Sequence, residues 1–144
     1  MTANDALTGL EKLQHLMAGE GTAPIGKVLG FHLVEAGDGH AVFTGRPGPH
    51  HYNPQGVVHG GYAATLLDSA MGCAIQTKLA AGISYGTVEL KINYVRAITD
   101  ATGLVRATGT AVHVGRRLAT AEGRLTDATG RLFAHGSTTC MVYT

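Results

Sequence analysis

The chain has 144 residues, of which 44% are hydrophobic and 15% charged. That balance suits one globular domain, 1–144, rather than a disordered chain. The formal net charge of +1 excludes the bulk basic excess of a nucleic-acid or membrane-surface binder, so an anion must be met by a local cluster.

Leu7, Leu10, Leu13, Leu16 and Met17 recur every three or four residues and predict a short amphipathic helix over 5–18. Asp5 is its expected N-cap, Gly19 and Gly21 end it, and 1–22 forms an N-terminal helical extension. The first 19 residues lack the basic start and continuous apolar run of a signal peptide. No uninterrupted apolar stretch reaches membrane-spanning length either, so a cytoplasmic protein with no membrane or nucleic-acid partner is expected. Two strands, 31–36 and 41–46, flank the turn Gly37-Asp38-Gly39. Residues 47–58 carry Pro, Gly, His and Asn without periodicity, a loop long enough to be functional.

Residues 59–81 read as the one long helix. Ala63, Leu66, Leu67, Ala70, Met71, Ala74 and Ile75 cover most of its circumference, the pattern of a buried helix. Small residues such as Gly72 and Cys73 admit a closely packed sheet. Beyond it, Val88, Leu90, Ile92 and Tyr94 alternate with polar residues, and strands follow over 104–114, 117–126 and 131–143. The turn Asp127-Ala128-Thr129-Gly130 joins the last two as a hairpin. The sum is an α+β fold: a curved antiparallel six-stranded sheet wrapped around one long central helix, with a short N-terminal helix. Such a sheet has long edges, and edge pairing in a homo-oligomer is the natural remedy. Cys73 and Cys140 read as small core hydrophobes.

Asp68 is the only acidic or basic side chain between Gly60 and Thr77. An unpaired carboxylate in an apolar setting is costly. It either meets solvent, a partner chain's arginine or nearby backbone, or it serves chemistry. At the start of the same helix, Gly60 and Gly61 offer first-turn N–H groups without intrahelical acceptors, the material of an oxyanion hole. Close helix packing is the plainer use of those glycines. The helix dipole disfavours a charged His59, which either orients the loop or acts as a base. His50, His51 and His59 lack the spacing of a metal site, so none is expected. Glycine-rich phosphate loops and the Gly-x-Ser-x-Gly elbow are absent.

The run His51-Tyr52-Asn53-Pro54-Gln55-Gly56-Val57-Val58-His59-Gly60-Gly61, with Asp68 nine residues after His59, resembles the PaaI-like (phenylacetyl-CoA thioesterase-like) family of hotdog-fold thioesterases. The resemblance extends over residues 25–143. It implies a hotdog fold and hydrolysis of an aryl- or medium-chain acyl-coenzyme A. It further implies that Asp68 attacks the thioester carbonyl or activates water, and that the N–H of Gly60, with Gly61, polarises that carbonyl. Asn53 matches a position that places substrate or water, and Thr87 a hydroxyl-bearing one. Ser84 or Tyr85 takes that role if the loop 80–86 differs in length.

Coenzyme A carries phosphates, and Val114-Gly115-Arg116-Arg117, where two strands meet, is the best basic candidate. The resemblance points to the same turn, although a solvated turn tip has the same composition. Tyr94, Lys91 and Arg96 are weaker candidates. A thioester is electrophilic and its thiolate leaves readily, so no cofactor beyond the coenzyme A of the substrate is expected. The resemblance implies a dimer of dimers with sites shared across an interface. A hotdog hydratase acting on enoyl or hydroxyacyl thioesters and a non-catalytic acyl-CoA-binding module are the competing readings.

Overall fold

A computed structural model describes residues 2–144. The chain begins with a 3-10 turn, Ala3–Ala6, and a helix α1, Gly9–Ala18. Thr8 caps α1, not Asp5. The Thr8 hydroxyl accepts from the Glu11 N–H, and the Glu11 carboxylate accepts from the Thr8 N–H at 2.7 Å, a reciprocal arrangement that satisfies two free donors at once. The Asp5 carboxylate is engaged by the Thr2 N–H at 2.7 Å instead. A further helix α2, Pro24–Leu29, was not expected from the sequence. Six residues are too few to show periodicity, and its signals are terminal: Pro24 in the first turn and Gly30 at φ 75° beyond the end.

Six strands follow the expected order around the long helix α3, Gly60–Gln76: β1, Phe31–Gly37; β2, His40–Gly45; β3, Ser84–Tyr94; β4, Val105–Val114; β5, Leu118–Asp127; and β6, Leu132–Tyr143. They form one sheet in the order β1-β2-β4-β5-β6-β3, antiparallel at every pairing. This is the hotdog arrangement. Helix α3 stops at Gln76, short of residue 81. The Thr77 hydroxyl donates back to the Ala74 carbonyl at 2.6 Å and accepts from the Gly39 N–H at 2.8 Å, tying the helix end to the β1–β2 turn.

Leu66, Leu67, Ala70, Met71, Ala74 and Ile75 are fully buried against the sheet. Glycine accounts for 21 of the 144 residues, and some of these glycines explain how the sheet comes so near. Gly109 and Gly123 stand opposite each other on β4 and β5, with Gly136 next in line on β6. A Cβ on Gly109 would run into the Ala70 backbone, and one on Gly123 would stand 2.9 Å from Met71 Cγ. The missing side chains of Gly109 and Gly123 set the helix-to-sheet distance, whereas a Cβ on Gly136 would meet the Lys91 carbonyl on β3.

The two sheet edges differ. Helices α1 and α2 pack along β1. On β3, by contrast, Val88 and Tyr94 are each 56% exposed and the outer backbone has no strand beside it. Among the described residues no helix is long and apolar enough to cross a membrane.

Candidate active site

The loop before α3 is held by its own backbone and one buried imidazole. His51 Nδ1 accepts from the Gly48 N–H at 3.1 Å, and its Nε2 donates to the Leu29 carbonyl at 2.7 Å. Both ring nitrogens are thereby committed to the neutral form, and burial pushes the His51 pKa down. The His51 carbonyl accepts from the His59 N–H at 2.8 Å. Asn53 closes the tip: its Oδ1 accepts from the Gln55 N–H at 2.9 Å, and its own N–H donates to the Val57 carbonyl at 2.8 Å.

This loop delivers His59 as the N-cap of α3, with Nδ1 accepting from the Gly61 N–H at 2.7 Å. The Gly61 donor is therefore used within the helix. The Gly60 N–H, at the first helical position, has no acceptor among the described residues. The Tyr94 hydroxyl donates to the Gly60 carbonyl at 2.7 Å. Asn53, His59, Gly60, Tyr94 and Arg96 thus share the lining of one depression of about 390 Å3.

Asp68 stands two helical turns further on, partly buried. The Thr87 hydroxyl donates to its Oδ1 at 2.9 Å, and none of the ion pairs among the described residues involves it. Of the three hydroxyl candidates on β3, Thr87 is the one that reaches the acid; Tyr85 donates instead to Gln76 Oε1 at 3.2 Å. Asp68 and Thr87 line a cleft of about 490 Å3 between α3, β3 and α1. The Cys73 thiol on its floor is pushed up to about 12 by burial, so it stays protonated and is no nucleophile.

Asp68 and the Gly60 donor therefore lie in different hollows. Eight residues of helix separate them, ~12 Å along the axis. Within one chain they cannot meet the same carbonyl carbon.

The Val114-Gly115-Arg116-Arg117 turn is pinned by the Gly115 N–H on the Leu118 carbonyl at 2.8 Å and by the Val142 N–H on the Arg117 carbonyl at 3.0 Å. Val114, Gly115 and Arg116 border a hollow with Lys78 and Leu79, at the C-terminal end of α3. Tyr94 is at the opposite end of that helix, so one chain does not unite the proposed coenzyme A residues. Lys91 sits elsewhere again, on the outer sheet face beside Arg124 and His135. Arg96 stacks over the Phe133 ring at 5.9 Å. Gln76 and Tyr85 are the cleft residues that sequence reasoning did not pair; the available signal was Gly72 and Gln76 following Asp68 at helical spacing.

The sequence pattern of the thioesterase superfamily matches residues 55–134. A protein of Halobacterium salinarum whose name assigns it provisionally to the esterases is 37% identical over 70 residues; the match takes in 47% of this chain and only 44% of that protein. Among solved structures, a conserved protein of Pseudomonas aeruginosa is 31% identical, with 86% of this chain and 97% of that one covered and a TM-score of 0.79. A thioesterase of Haemophilus influenzae is 21% identical, covering 94% and 90% of the two chains with a TM-score of 0.79. The E. coli PaaI protein of the phenylacetic acid degradation operon is 19% identical, covering 94% of each chain with a TM-score of 0.81. The last two likenesses speak for the fold.

Proposed function

This chain belongs to the thioesterase superfamily, and on that footing we propose that it hydrolyses an aryl- or medium-chain acyl-coenzyme A to the free acid and coenzyme A. The observation that carries the reading is Asp68: a carboxylate on an otherwise uncharged helix, in no ion pair among the described residues, held by one hydroxyl and open to a cleft. A carboxylate that serves only the fold draws its stability from a cation or several donors, and Asp68 has a single hydroxyl. This one keeps acceptor capacity free.

Asp68 acts as the nucleophile on the thioester carbonyl or as the base that takes a proton from water, with Thr87 fixing which carboxylate oxygen faces the substrate. A positioned base contributes about 10²–10⁴-fold. The Gly60 N–H, left without an acceptor, holds the carbonyl oxygen as negative charge develops there, worth about 10²–10³-fold. Collapse of the tetrahedral species breaks the C–S bond and expels the coenzyme A thiolate. On the base route water has supplied the new C–O bond and its proton rests on Asp68. On the nucleophile route the acyl group stays on Asp68 as a mixed anhydride, which water then cleaves to the free acid.

The ~12 Å between Gly60 and Asp68 implies that the donor and the acid of one reaction come from two copies of the chain. The exposed β3 edge is the surface on which a second copy can add its own β3. The same pairing brings the N-terminal end of one α3 toward the C-terminal end of the other, so Tyr94 of one copy and Arg116 and Arg117 of the other can flank one coenzyme A. That pairing supports a dimer; the dimer of dimers is what the family resemblance adds to the proposal. The test is release of free thiol from a panel of acyl-CoAs. Thiol release establishes the reaction, whereas binding without release, or hydration of an enoyl ester, overturns it.

A further inference from the structure

The cleft holding Asp68 has a wall made by side chains the reaction does not use. Asp68 is the floor residue nearest the N-terminus of α3; Ser69, Gly72, Cys73 and Gln76 continue the floor toward the C-terminus. An acyl group whose carbonyl sits at Asp68 and that follows this floor runs toward Gln76. Tyr85 crosses that path. Its Cε2 and Oη lie 3.2 and 3.3 Å from where a Cβ on Gly72 would stand, so the ring occupies the volume a side chain at position 72 would fill. The hydroxyl is tied down by its hydrogen bond to Gln76 Oε1. Burial drives the Tyr85 pKa far up, which keeps the phenol a neutral donor to that amide. Gly72 follows Asp68 by one helical turn, ~6 Å along the axis. The cleft between the acid and the ring is flanked by Leu13, Leu16, Phe31 and Phe43.

Resting on the reading of this cleft as the acyl site, we propose that Tyr85, seated on Gly72 and tethered to Gln76, sets the upper length of the acyl group. A longer unbranched chain has to lift the ring off Gly72 and strip Gln76 Oε1 of its hydroxyl donor, leaving that oxygen beside hydrocarbon while Nε2 keeps only the Gly9 carbonyl at 3.4 Å.

Two measurements test this on the full chain. One is kcat/KM for straight-chain acyl-CoAs from butyryl to palmitoyl. The other is calorimetric binding of non-hydrolysable thioether analogues of the same lengths. Both compare the wild type with Tyr85→Ala and with Tyr85→Leu, the latter keeping apolar packing on Gly72 should the alanine variant fold poorly. In the wild type, kcat/KM falls away beyond medium chains. In the variants the ratio of long-chain to short-chain kcat/KM rises by about tenfold or more, and the affinities of the analogues move the same way. A change that is equal at all lengths, or an unchanged profile in a folded variant, overturns the proposal. A wild type that releases no thiol but whose analogue binding shifts toward long chains in the variants refutes the hydrolase reading and supports the length limit. Failure of every analogue to bind refutes both.

Discussion

Replacing Asp68 with asparagine removes one charge and almost no volume. The Thr87 hydroxyl, 2.9 Å from Oδ1, finds an amide oxygen in the same place. Exchanging a charged acceptor for a neutral one costs about 1 kcal/mol, and the amide is cheaper to desolvate where the carboxylate is partly buried. The net effect on stability is within about 1 kcal/mol, a shift in Tm of about 2–4 °C for a chain of this size. Activity behaves differently. Without a base or nucleophile, kcat falls by about 10²–10⁴, equivalent to about 3–5 kcal/mol of lost transition-state stabilisation, while KM changes little because the thioester is still bound. Free-thiol release gives kcat and KM, and a thermal melt reports the fold. Turnover within tenfold of wild type refutes the reasoning. So does a loss of activity accompanied by a large fall in Tm, since Asp68 would then be structural.

Gly60→Pro deletes the free N–H where proline is structurally tolerated: position 60 is the first of the helix, and His59 before it is extended at ψ 135°. The exposed Tyr94 ring yields to the new atoms, and kcat drops by about 10²–10³; a drop confined to KM counts against the oxyanion role. Mixing this variant with Asp68→Asn under subunit exchange restores about a quarter of wild-type activity if sites are shared in a symmetric dimer, and none if each chain is self-sufficient. Arg116→Ala with Arg117→Ala raises KM for coenzyme A esters and spares truncated thioesters; equal losses on both move the phosphate site elsewhere. His51 is neutral in the fold with its pKa below the ordinary 6.5. The unfolded chain therefore binds its proton more readily, and the stability this ring contributes is present above pH 6.5 and lost as pH falls toward the lowered value. Thermal melts on the acid side should show a shallower slope for His51→Asn than for the wild type, and identical slopes would sink the assignment.

What could be read along the chain was what short-range physics decides. Helix α3 announces itself by apolar residues around its whole circumference. The hairpin of β5 and β6 follows from Asp127 and Gly130, and the free N–H of Gly60 follows from its place directly after a capping residue. Even locally the reading slipped where two groups compete for one role, as Asp5 and Thr8 do at α1, or where an element is too short for periodicity, as α2 is. Contacts across many residues were decided only by tertiary packing. β3 takes its place beside β6 at the sheet edge, and from there Thr87 reaches Asp68 while Tyr85, two residues earlier on the same face, reaches Gln76. Neither pairing is encoded by spacing, because each depends on how β3, held in register against β6, lies across the helix that precedes it. The separation of Gly60 from Asp68 is the reverse case: the helix rise alone fixes it, and only the folded cleft shows that the two ends open into different hollows.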